Sequence, residues 1–179
     1  MRINLFSGPG AGKSTLAARL YGDLKIAGFN IELVHEYIKT WAYLGRVPKS
    51  FDQCYIFGKQ LHAEDRVIQS GVDHIITDSP VMMQIAYCQR YEKHYWPELL
   101  GIAQKFEELK PSLNIFLDRK NIPYQENGRY ENYDQAVEMD ARILRFMDEH
   151  LPGYFPVDAT KPDEIFALIK GRLDSCQNS

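Results

Sequence analysis

Near the start of the chain, Ser7-Gly8-Pro9-Gly10-Ala11-Gly12-Lys13-Ser14-Thr15 combines closely spaced glycines with an amine and hydroxyls. Glycine lets the backbone turn tightly enough for successive N–H groups to aim inward, where they can hold phosphate oxygens. In this pattern Lys13 reaches the β- and γ-phosphates of a nucleoside triphosphate, and the Ser14 hydroxyl ligates Mg²⁺. The residues predicted to bind ATP are Gly8, Pro9, Gly10, Ala11, Gly12, Lys13, Ser14 and Thr15. One irregularity stands in the pattern G-x-x-x-x-G-K-[ST]: Ser7 occupies the first glycine position, with Gly8 and Gly10 supplying flexibility beside it.

Further groups suit phosphoryl transfer. Glu36, in His35-Glu36-Tyr37-Ile38-Lys39-Thr40-Trp41, is predicted to accept the proton of an attacking hydroxyl; its plainer reading is an acid at a helix N-terminus. Tyr37 and Trp41 are candidates for stacking on a planar base, or else core residues. Asp78, in Thr77-Asp78-Ser79-Pro80, is expected to hold Mg²⁺ through water or to bind the acceptor. The competing account makes Asp78 or Ser79 a helix N-cap with Pro80 at the first helical position. Residues 118–133 carry Arg119, Lys120 and Arg129 among Pro123, Gly128 and several asparagines, which predicts a functional loop whose cations neutralise a transferring phosphoryl group. Arg142 is a further cation of the same type.

These residues need a frame. Short apolar runs at 2–7, 31–35, 74–77, 113–117 and 154–157 alternate with helical stretches, the order that writes a parallel sheet with crossover helices. Leu16, Leu20, Leu24 and Ala27 recur at helical spacing, predicting a helix over 13–27 that Gly28 ends. Val137, Leu144, Met147 and Leu151 predict a late helix, and Ile165, Ile169 and Leu173 another. One domain over 1–174 with a lid at about 118–133 and a tail at 175–179 is the expected organisation.

The chain's 179 residues suit a single domain, and 45% hydrophobic with 25% charged residues suits a packed core. A net charge of −3 does not attract polyanions as a whole. Cys54, Cys88 and Cys176 show no zinc or disulfide spacing and read as reduced thiols. No apolar run approaches the roughly 20 residues of a membrane span, and the expected location is the cytoplasm, a viral host's included.

With its loop, Glu36, Asp78 and lid, the chain resembles P-loop nucleoside and nucleotide kinases, especially the ribosylnicotinamide-kinase-like group often found in bacteriophage genomes. The resemblance implies an α/β, three-layer P-loop kinase fold, a five-stranded parallel sheet in the order 2-3-1-4-5, and a site with Lys13, Glu36, Asp78, Arg119 and Arg129 as catalytic residues. Arg119 would also contact ATP. Glu36 and Trp41 further match the spacing of a catalytic Glu and a Trp in deoxynucleoside kinases, where Gln60 would correspond to a base-pairing glutamine. Their Glu-Arg-Ser motif is replaced by Asp78-Ser79-Pro80, leaving Arg46 or Arg90 to stand in for the missing cation.

The expected function is transfer of the ATP γ-phosphate to a hydroxyl of a nucleoside-like acceptor bound by Glu36, Tyr37, Trp41, Gln60 and Asp78. Alternatives are a kinase of a hydroxymethylated base in phage DNA, with DNA as the acceptor in DNA modification, a nucleoside monophosphate kinase, and a non-catalytic ATP-binding switch. The sequence leaves the acceptor and the oligomeric state open, a homodimer included.

Overall fold

The computed structural model describes residues 1–91, 93–120, 122–125 and 130–177, with residues 176 and 177 described by backbone only. Five parallel strands form one sheet in the order β2-β3-β1-β4-β5: β1 Arg2–Phe6, β2 Ile31–Val34, β3 His74–Thr77, β4 Ser112–Asp118 and β5 Phe155–Asp158. This is the order expected of the P-loop kinase fold. The register pairs Asn4 with Thr77 on one side and Asn114 on the other, so β1 is central. The glycine-rich loop therefore leaves the middle of the sheet at the carboxyl ends of the strands, where ligands of open parallel sheets bind.

Alternation along the strands builds two cores. Ile3 and Leu5 of β1 and Ile115 and Leu117 of β4 pack under α1 (Lys13–Ile26) and the last helix, α7 (Pro162–Gln177). Phe6 and Phe116 face the other side, against α3 (Asp52–Gln69), α4 (Val81–Arg90), α5 (Trp96–Leu109) and α6 (Tyr133–His150). A short α2, Lys39–Tyr43, follows β2. Each fully buried Leu, Ile or Phe stabilises the fold by roughly 1.5–3 kcal/mol.

Two expectations about the late helices need correction. The inner face of α6 is Ala136, Met139, Ile143 and Met147, and Val137 is exposed because it stands one residue, about 100° of helix rotation, off that face. Residues 175–177, expected as tail, continue α7 to Gln177.

A polar tie crosses the second core. The buried Arg2 guanidinium binds Glu64 of α3 at 2.9 Å and Glu107 of α5 at 2.9 Å, and lies 4.2 Å from the Phe106 ring centroid. Glu64 also accepts the Val81 N–H at 2.9 Å, which satisfies the first amide of α4. That corrects the capping expectation: Pro80 stands at the N-cap position rather than inside the helix, and neither Asp78 nor Ser79 caps it.

Candidate active site

Gly12 adopts a left-handed conformation, φ 82°, and α1 begins at Lys13, so the loop runs directly into a helix N-terminus. Ser7 is tolerated because the positive-φ positions of the loop are Gly10 and Gly12, not position 7. Gly8 is required by close approach: a Cβ there would fall 2.5 Å from the Ala136 carbonyl oxygen. Its N–H donates to Asp140 Oδ1 at 2.5 Å. The Lys13 ammonium donates to the carbonyls of Ser7 at 2.6 Å and Gly8 at 2.8 Å, which curls it over the loop.

The loop opens into a cavity of about 290 Å³. Gly10, Gly12, Lys13 and Ser14 line one end, with Glu36 and Lys39 beside them. Gln53 of α3, Gln84 and Tyr87 of α4, Tyr91 at its C-cap, and Tyr130 and Glu131 also line the cavity. Glu36 is held twice. Its N–H donates to Asp78 Oδ1 at 3.1 Å, and its Oε1 faces the Ser79 hydroxyl at 3.5 Å. Gln84 in turn donates to Ser79 Oγ at 2.9 Å, so an amide–hydroxyl chain ends at the carboxylate.

Burial, with the Glu131 charge adding to it, pushes Tyr91 up to about 12 and Tyr87 well above the usual phenol range. Tyr130 is raised by burial and by the same carboxylate. These phenols therefore remain hydrogen-bond donors through the neutral range. Tyr91 already donates to Glu131 Oε1 at 3.2 Å.

The structure brings the loop, Lys13, Ser14 and Glu36 to one cavity and puts several expected partners elsewhere. Asp78 is buried behind Glu36 rather than on the cavity wall. Tyr37 and Trp41 join Tyr55 in an aromatic cluster off the wall, with Trp41 buried under the Arg46 guanidinium at 3.3 Å from the ring centroid. Gln60 is fully buried, accepting the Tyr37 N–H at 3.2 Å. Arg119 is buried beneath the loop, paired with Asp140 and donating to the Ala136 carbonyl at 3.2 Å. Lys120 pairs with Asp118, and Arg90 and Arg142 with Glu138. Arg129 lies outside the described residues.

Residues unnoticed in the sequence complete the wall. Gln84 and Tyr87 of α4 and Tyr91 at its C-cap stand at i, i+3 and i+7, and that spacing is the signal that could have found them. Lys39, whose Nζ donates to Ser14 Oγ at 3.1 Å, carried no pattern of its own.

For Mg²⁺, Ser14 fits: its hydroxyl is a hard oxygen on the cavity wall. Among the described residues no cluster of three His, Cys, Asp or Glu side chains is placed to hold a metal.

A family model described as an AAA domain matches residues 2–162. The chain belongs to this AAA domain family. No curated protein matches it. Among solved structures, a deoxyadenosine kinase from M. mycoides, described with the products dCMP and a flexible dCDP bound, is 17% identical with a TM-score of 0.60 and covers 98% of this chain and 100% of its own. YorR from Bacillus subtilis, in complex with phosphorylated GDP, is 17% identical with a TM-score of 0.63, over 100% and 99% of the two chains. NadR in complex with NAD and AMP-PNP is 17% identical with a TM-score of 0.67, over 88% of this chain but 44% of its own. At this identity the likeness is one of fold, and the fold is that of P-loop nucleoside kinases. Among the described residues of this AAA domain, no helix is long and apolar enough to cross a membrane.

Proposed function

We propose that the chain is an ATP-dependent kinase that transfers the γ-phosphate to a hydroxyl of a nucleoside-like acceptor. The carrying observation is the shared cavity, lined by Lys13 and Ser14 of the phosphate-binding loop, by Glu36, and by Gln53, Gln84, Tyr87 and Tyr91. The loop amides and Lys13 bind and orient the ATP phosphates. Glu36 accepts the proton of the acceptor hydroxyl as that oxygen attacks the γ-phosphorus, and Ser79 and Asp78 hold Glu36 for this task. Mg²⁺, with Ser14 as its protein ligand, would offset negative charge on the phosphates. The amides and phenols suit a planar, polar acceptor, and the Glu131 carboxylate beside Tyr91 disfavours one carrying its own phosphate there. ATP as donor assigns the reaction to the cytoplasm.

The test is a γ-labelled ATP screen over nucleosides, nucleotides, ribosylnicotinamide and hydroxymethylated DNA. Label should pass to a neutral nucleoside-like acceptor. Lys13→Ala should abolish transfer, and Glu36→Gln should lower kcat by roughly 10²–10⁴-fold with ATP binding retained. Normal turnover in either variant, or transfer to a nucleoside monophosphate in preference to its nucleoside, would sink the reading.

A further inference from the structure

Phosphoryl transfer gains most from cations aimed at the group in flight. Among the described residues, the arginines that sequence pattern offers for this are engaged elsewhere: Arg119 with Asp140 beneath the loop, Arg46 on the Trp41 ring, Arg90 and Arg142 with Glu138; Arg129 lies outside the described residues. Among the described residues, the cations on the cavity wall are Lys13 and Lys39. Lys39 begins α2, three residues after Glu36, and its Nζ donates to Ser14 Oγ at 3.1 Å. It thus joins the segment that carries the base to the residue that lies beside the terminal phosphates in a phosphate-binding loop.

We infer that Lys39 is a second catalytic cation, whose ammonium contacts the transferring γ-phosphoryl group from the Glu36 side of the cavity. The inference rests on the kinase reading. As the acceptor oxygen forms its bond to the γ-phosphorus and yields its proton to Glu36, the bond from phosphorus to the β,γ-bridging oxygen breaks, and ADP leaves with that electron pair. Lys39 gives and takes no proton; it offsets the charge spread over the non-bridging oxygens. Its contact with Ser14 puts its ammonium at the loop residue that neighbours the terminal phosphates in such a pattern. Lys13 is the donor-side counterpart, anchored at the loop carbonyls.

The experiment uses the full chain with γ-labelled Mg·ATP and a mixture of the four deoxynucleosides, water serving as the background acceptor. Lys39→Met, which keeps length without charge, should lower kcat by roughly 10²-fold or more. Its affinity for a fluorescent ATP analogue should stay within about threefold, since the contact is made in the transition state. Binding of Mg·ADP with fluoroaluminate, a mimic of the group in flight, should weaken along with kcat, and Lys39→Arg should recover part of both. An unchanged kcat in a folded Lys39→Met protein overturns the role of Lys39 and leaves the kinase reading standing. Equal loss of ATP-analogue and fluoroaluminate affinity overturns it too, because Lys39 would then serve ground-state binding. No label transfer by the unaltered protein, to nucleoside or water, overturns the kinase reading and this inference together.

Discussion

Gly8 donates its backbone N–H to Asp140 Oδ1 at 2.5 Å, tying the phosphate-binding loop to helix α6. The same carboxylate pairs with the buried Arg119, so one side chain fastens both the loop and the first lid residue after β4. Asp140→Ala should leave Arg119 buried without its charge partner and cost about 3 kcal/mol. Urea unfolding measures it, and a change under 1 kcal/mol would show the tie to be incidental.

The chain from Gln84 through Ser79 to Glu36 predicts a catalytic effect without a binding effect. Ser79→Ala should lower kcat about tenfold, equivalent to roughly 1.4 kcal/mol, with the KM for ATP unchanged. Adding Gln84→Ala should cost little more, since both act through one hydroxyl. Independent, multiplicative losses would argue against a chain.

A methyl group at Gly10 would meet the Tyr124 ring at 2.5 Å, on a residue whose φ is +78°. Gly10→Ala should therefore destabilise by about 2 kcal/mol, from left-handed backbone strain and from displacing the ring. In a Tyr124→Ala background the cost should fall to the backbone part, about 1 kcal/mol. Equal costs in the two backgrounds, read by thermal unfolding, would show that the lid ring does not press on the loop.

Burial pushes the Cys88 thiol up to about 12, with Cys54 nearby adding to it. A folded-state value raised above the ordinary 9.0 means that the unfolded chain releases the proton first. The stability is present below about 9 and is lost as pH rises toward 12. Tyr91, also raised to about 12 by burial, acts in the same direction. Alkaline unfolding of Cys88→Ala should be shallower than that of the parent chain. At pH 8 a thiol reagent should leave Cys88 unlabelled in a Cys54→Ser, Cys176→Ser background until the chain is denatured, because the thiolate is the reactive form.

The donor half of the site was legible in the sequence for a local reason. Gly8 through Thr15 are contiguous, and the conformation they need is set by neighbouring glycines and the helix that begins at Lys13. That the sheet is parallel followed from the alternation of apolar runs and helical stretches, and its strand order from the resemblance to P-loop kinases. Glu36, two residues past the end of β2, lines the cavity that the loop opens into.

The tertiary structure decided the rest, because those choices depend on which side of a helix or strand end faces the cavity. Gln60 looked like a substrate-reading glutamine, yet the buried face of α3 turns it to Thr77 and Glu64 and leaves Gln53 at the cavity. Arg119 looked like a lid cation, but Asp140, 21 residues on, draws it beneath the loop. Trp41 went to an aromatic cluster, while Lys39, two residues earlier, reached Ser14. By itself the sequence determined how phosphate is held, since that is the work of consecutive backbone amides. Only the packing of α2, α3 and α4 around Glu36 determined what else lines the cavity, since those groups come from segments that meet only when the chain is folded.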